Sequence, residues 1–176
     1  MHKAALLALG AAAVLLAGPA LGAERARAQI VDRQGVTVGE ATLVESAHGV
    51  LIHVAAKGLP PGPKGIHIHG VGTCDDGAAG FVASKGHLNP GARPHGLMNP
   101  EGPDAGDLPN LFVHADGSAE AEFFTTFASL AGAAGRAAIL DADGAALVIH
   151  ENRDDHATQP IGGAGPRHFC GVISAE

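Results

Sequence analysis

Over residues 65–70 the chain reads Gly-Ile-His-Ile-His-Gly, and isoleucine and histidine alternate with the period of a β-strand. Ile66 and Ile68 therefore face one way and His67 and His69 the other, with the two imidazole-bearing Cβ atoms roughly 7 Å apart. Similar alternation predicts a short strand at 29–31 and a hairpin over 36–56, turning at Ser46-Ala47-His48-Gly49. The run Gly-Leu-Pro-Pro-Gly-Pro at 58–63 excludes helix. Further strands are predicted at 110–115, 119–126, 137–140, 145–150 and 167–173, and Asp-Gly pairs at 116–117 and 143–144 predict hairpin turns. Two stretches, 72–109 and 151–166, carry Gly and Pro at short intervals and read as irregular loops. A loop as long as the first is uncommon in a compact domain unless something ties it down. About eight short strands, two long loops and no amphipathic helix predict an all-β antiparallel sandwich or flattened barrel.

The N-terminus departs from this pattern. His2-Lys3, an almost continuous Ala/Leu/Val run from 4 to 17 and the small residues after Gly18-Pro19 form the profile of a secretory signal peptide over residues 1–23. Cleavage after Ala23 and cleavage after Ala28, at the triplet Ala26-Arg27-Ala28, both fit, and a single domain then occupies 29–176. The apolar run is short for a membrane span. A periplasmic or secreted protein is the expectation. From residue 29 onward eight Lys and Arg face seventeen Asp and Glu, a formal charge of −9 with histidines neutral. Such a chain has no basic stripe to neutralise phosphates, which argues against a nucleic-acid partner. The two cysteines, Cys74 and Cys170, are expected to be bonded in an exported chain. Trp and Tyr are absent, so the core rests on Val, Ile, Leu, Ala and six Phe.

Five histidines, His67, His69, His87, His95 and His150, fall beside turns, loops or strand ends, and the first loop adds Asp104 and Asp107 as potential ligands. The segments 65–70, Gly-His-Leu-Asn-Pro at 86–90, Gly-Asp-Leu-Pro at 106–109, Leu-Val-Ile-His-Glu at 147–151, Asp154-Asp155 and 163–173, with Arg167 and Cys170, resemble the copper–zinc superoxide dismutases, especially the exported bacterial ones. The resemblance runs in order through the whole chain after the signal peptide.

It implies an eight-stranded antiparallel Greek-key barrel or sandwich that dismutes superoxide to dioxygen and hydrogen peroxide by alternating copper reduction and oxidation. The implied copper ligands are His67, His69, His87 and His150. The implied zinc ligands are His87, His95, Asp104 and Asp107, with His87 bridging the metals. Arg167 would guide the anion, Asp154 would accept hydrogen bonds from His67 and His95, and Cys74 would bond to Cys170. The pattern breaks at Asp104, where the family usually has histidine. Aspartate can ligate zinc, but its arm is shorter and a second carboxylate makes the site more anionic. His156, His168, Lys85 and Arg93 are expected as further sources of positive potential. The competing reading is a non-enzymatic exported copper-binding or copper-storage domain, which would need the histidines but not Arg167. Family members occur as monomers and homodimers, and the residues choose neither.

Overall fold

Seven strands pair antiparallel into one curled sheet. The computed structural model describes residues 24–176, so the signal-peptide expectation for residues 1–23 lies outside the described residues. The strands are β1 (Arg25–Asp32), β2 (Thr37–Ser46), β3 (Gly49–Ala56), β4 (Gly62–Lys64), β5 (Ile66–His69), β6 (Leu111–Val113), β7 (Ala119–Thr125), β8 (Ala128–Ser129), β9 (Ala137–Ala138), β10 (Ala145–His150) and β11 (Arg167–Ala175). The large sheet runs β5-β10-β11-β1-β2-β3-β7, while β4-β6 and the parallel pair β8-β9 are separate two-stranded sheets. Among the described residues no helix is long and apolar enough to cross a membrane.

The all-β expectation is met, and the 36–56 hairpin forms with Ser46 opposite Gly49. The first Asp-Gly turn closes a short hairpin, where the His114 amide also bonds to the Ser118 carbonyl, whereas the second forms a turn without a hairpin. The Gly117 amide bonds to the His114 carbonyl, and the Gly144 amide to that of Asp141. The strands on either side then diverge: β6 pairs with β4 and β7 with β3, while β9 pairs with β8 and β10 with β5 and β11. At both places the chain crosses between sheets, because each flanking strand buries its apolar side against a different neighbour. The first strand begins earlier than predicted. Ala26, Ala28 and Ile30 point into the core while Arg25, Arg27 and Gln29 face outward, and the strand pairs with both β2 and β11.

The main core takes Ile66 and Ile68 from β5 and Leu147 and Ile149 from β10. The opposite face of the same strands is buried too. There Phe81 of the first loop packs with Ala146, Val148 and Cys170 in a second small core. Cys170 is disulfide-bonded to Cys74, so the loop is attached covalently to β11. Between these two patches lie His67, His69 and His150, all essentially inaccessible to solvent.

Candidate metal centre

β5 is an edge strand, and its free edge is covered by the first loop. The Leu88 amide bonds to the Ile68 carbonyl, the Ile68 amide to Gly106 and the Gly70 amide to Gly86. These bridges set His87 beside His69 and Asp107 beside His67. Gly106 is required by this approach, since a Cβ there would run into the Ile68 carbonyl. The backbone hydrogen bonds of an edge strand thus draw distant loop residues onto the histidine face.

Each histidine of the first cluster has one nitrogen committed and the other bare. His67 donates from Nε2 to Asp154 Oδ2 at 2.7 Å. His69 donates from Nδ1 to the Lys85 carbonyl at 2.8 Å, and His150 from Nδ1 to the Gly165 carbonyl at 2.8 Å. His87 Nδ1 faces Asp104 Oδ2 at 2.9 Å and Asp107 Oδ1 at 3.5 Å. His67 Nδ1, His69 Nε2, His87 Nε2 and His150 Nε2 are left buried without any hydrogen-bond partner. One nitrogen from each of His67, His69 and His150 lies within 4.8 Å of the others, and the His67 and His87 rings are 4.1 Å apart. Three of these lone pairs converge and the fourth belongs to the His87 ring that adjoins His67 and His69, and buried lone pairs of this kind would be costly to leave unmet. They fit a cation that favours imidazole, such as copper.

Electrostatics reinforce the tautomers. Burial pushes the His67 pKa down to about 4 despite its bond to Asp154, with His87 adding to the depression. His150 is pushed down to about 3 by burial and by His67, His87 and Arg167, and His69 is held well below its ordinary value by burial and neighbouring cations. All three are neutral at physiological pH, the form that binds metal.

The second cluster joins His87 and His95 to two carboxylates, with ligand atoms again within 4.8 Å of one another. Asp107 accepts from His95 Nδ1 at 2.5 Å through Oδ1, while its Oδ2 accepts the backbone amides of Gly96 and Asp104. Asp104 Oδ1 accepts the Gly106 amide, leaving Oδ2 aimed at His87. Each aspartate thus has one oxygen tied to backbone and one presented to the imidazoles, which suits two monodentate carboxylates and two nitrogens around zinc. Burial opposes charge on His87 and His95, but the carboxylate hydrogen bonds outweigh it: His87 is raised, and His95 is raised to about 10. The Asp107 carboxyl is held far below the usual range by the two imidazoles and the Gly96 amide, which overcome its burial. Asp104→Ala is expected to weaken zinc binding by more than the roughly 10- to 100-fold that losing an outer partner costs. A chelator competition titration measures this, with copper uptake little changed.

Asp154 links the clusters, accepting from His67 through Oδ2 and from His95 Nε2 at 3.2 Å through Oδ1. Its own backbone is fixed by a residue the sequence did not single out. Asn110 donates from Nδ2 to the Asp154 carbonyl and accepts the Asp154 amide at Oδ1, both at 2.8 Å. Gln159 holds His95 in the same way, donating to its carbonyl at 2.7 Å and accepting its amide at 3.0 Å. Two side-chain amides therefore join the two long loops directly behind the ligands.

Arg167 sits opposite His150 in the β10–β11 ladder. Its Nη1 donates to the Phe81 carbonyl and Nη2 to the Lys85 carbonyl, both at 2.6 Å. Lys85 adopts a left-handed φ of 62°, and its carbonyl accepts from both Arg167 and His69. A strained backbone position is tolerated where it aims a group into a site. The other expected sources of positive potential are used differently. Arg93 braces the first loop through the Glu101 and Gly102 carbonyls. His156 accepts a hydrogen bond from Asn110 at Nε2, and its Nδ1 lies 3.5 Å from Asp154. His168 is lowered by burial and by Arg33 and Lys64, so it is neutral at physiological pH. Lys85 and Arg93 are exposed, and His156 and His168 are half-buried.

The family model described as copper/zinc superoxide dismutase (SODC) matches residues 37–173. A superoxide dismutase [Cu-Zn] of Caulobacter vibrioides is 50% identical over 140 residues, covering 79% of each chain. A second, superoxide dismutase [Cu-Zn] 2 of Aquifex aeolicus, is 41% identical over 150 residues, covering 85% of this chain and 86% of that one. Among solved structures, a SOD-like protein from Bacillus subtilis superimposes with a TM-score of 0.78 at 40% identity, covering 83% of this chain and 96% of that one.

Proposed function

This chain belongs to the copper/zinc superoxide dismutase family, and we propose that it converts superoxide to dioxygen and hydrogen peroxide. Copper would be held by His67, His69, His87 and His150, and zinc by His87, His95, Asp104 and Asp107. The observation that carries this reading is the set of four buried imidazole nitrogens without partners, beside an arginine with donors to spare. Bound copper supplies the one-electron change that lets one superoxide be oxidised and another reduced.

The protein residues supply the rest. Asp154, Lys85 and Gly165 fix the tautomers of His67, His69 and His150, so that each bare lone pair is oriented in advance. Arg167 has both Nη groups anchored, which leaves its Nε edge to receive an anion through charge-assisted bonds. His87 Nε2 is the atom placed to deliver a proton to reduced oxygen, while Nδ1 stays turned to the carboxylates. On a chain of net negative charge, this local cation opposes an unfavourable global field. Arg167→Met is expected to lower kcat/KM for superoxide roughly 10- to 100-fold and to flatten its dependence on ionic strength. Stopped-flow consumption of superoxide by the copper- and zinc-loaded protein measures both. A copper-storage domain would consume no superoxide, with or without Arg167.

On the same reading β4 and β5 count as one strand interrupted at Gly65, and with β6 added the curled sheet makes up the family's eight-stranded Greek-key barrel. This is supported by the way β4 leads into β5 at one sheet edge and β6 into β7 at the other. Export to the periplasm or outside the cell, with residues 1–23 as signal peptide, belongs to the proposal as well. Cleavage after Ala28 would remove half of β1, including buried Ala26 and its pairing with Leu43 and Ala175. N-terminal sequencing of the exported protein is therefore expected to begin at Glu24, not Gln29.

A further inference from the structure

The anion-facing arginine is held from behind as well as in front. The β10–β11 register shifts between Ile149 and His150: Ile149 faces Phe169, His150 faces Arg167, and His168 has no opposite residue. Such a bulge re-aims the side chain beside it. On the other side of β11 the ladder to β1 ends with Asp32 opposite Phe169. There β1 turns away, with the Gly35 amide bonding to the Asp32 carbonyl and the Val36 amide to the Asp32 carboxylate. The Arg167 carbonyl thus lies beyond the last backbone pair on that side.

Arg33 takes the place of the missing strand. It donates from Nε at 2.8 Å and from Nη2 at 2.6 Å to the Arg167 carbonyl. Arg33 is itself confined, because the loop after Cys74 passes so close that a Cβ at Gly77 would lie 2.6 Å from the Arg33 carbonyl. We propose that Arg33 is a positioning residue for Arg167, clamping its peptide at the bulge so that the Arg167 fork keeps its free edge towards the incoming anion. The inference rests on the dismutase reading. A planar guanidinium can place two donors on one carbonyl, whereas a lysine ammonium acts as a point charge. Both donors go to a neutral acceptor, so the Arg33 charge also adds to the positive field around the centre.

The test uses the metal-loaded full chain with Arg33→Met and Arg33→Lys. Two quantities are read: the dissociation constant of azide, followed by copper absorption, and the rate at which an arginine-selective dicarbonyl modifies Arg167, followed by peptide mapping. Arg33→Met is expected to weaken azide binding roughly three- to tenfold and to speed modification of Arg167 several-fold relative to the remaining arginines. Arg33→Lys is expected to fall between Met and wild type in azide affinity while still exposing Arg167 to faster modification. Wild-type values in Arg33→Met for both quantities would overturn the clamp, as would wild-type values in Arg33→Lys, which would leave charge alone. If Arg33→Met fails to fold, Arg33→Lys decides by the same readouts. A wild-type protein that does not consume superoxide would defeat the dismutase reading instead, while the modification rates would still test the clamp.

Discussion

Stripped of metal, the protein is expected to lose several kcal/mol of stability as pH falls from about 7 to about 4. The cause is the trio of buried imidazoles. His67, with a folded pKa of about 4, His150, at about 3, and His69, well below its ordinary value, all stay neutral in the fold. The unfolded chain takes up protons on the same groups near pH 6.5. Below that pH the unfolded state binds more protons than the native one, so stability falls as pH falls, by roughly 1 kcal/mol per pH unit for each imidazole. The loss levels off as the folded pKa values are reached. His87 and His95 have the opposite sign. Their folded values are raised, so their contribution is intact below pH 6.5 and is lost only as pH rises, through about 10 for His95. Asp107 and Asp154, both depressed, add a further loss at still lower pH, as they become protonated. Urea unfolding of chelator-treated protein at a series of pH values measures this. A profile flat between pH 7 and 4 would mean the imidazoles are not neutral and buried as described.

Reducing the Cys74–Cys170 bond is expected to cost about 4–5 kcal/mol, the loop-closure estimate for residues 96 apart in sequence. The consequence should extend to the anion. Cys170 lies three residues after Arg167, and Cys74 opens the loop whose Phe81 and Lys85 carbonyls anchor the Arg167 guanidinium. Cys170 and Cys74 also contribute to the small core around Phe81. Denaturant midpoints under oxidising and reducing conditions give the stability term, and azide affinity gives the positional one. Cys74→Ser is expected to reproduce both losses. An unchanged azide affinity alongside a lowered midpoint would separate the bond's stabilising role from the positioning of Arg167.

What could be read from the sequence was whatever local periodicity and spacing encode. The Ile-His alternation of β5 placed both imidazoles on one face, and the structure adds that this face is closed by the first loop. The interruption at 72–109 marked a long loop, because Gly and Pro break regular patterns wherever they cluster. The start of β1 was misread for a physical reason. Ala26-Arg27-Ala28 has the small-x-small form of a cleavage site, yet the same alternation with small inward residues makes a strand against a crowded core. β4 lay hidden in its prolines, since Gly62–Lys64 forms only a short strand in a two-stranded sheet. Arg33 and Gln159 left no signal, because each acts by bonding to the backbone of a residue remote in sequence. Only Asn110 gave a faint hint, three positions after Asp107 where the loop rejoins a strand.

The most direct test of the paired centre is elemental analysis of the purified protein alongside an assay of superoxide consumption. The four bare imidazole nitrogens and the two-aspartate cluster predict one copper and one zinc per chain, with rapid dismutation. Copper bound without dismutation would contradict the enzymatic reading and leave a copper-binding domain.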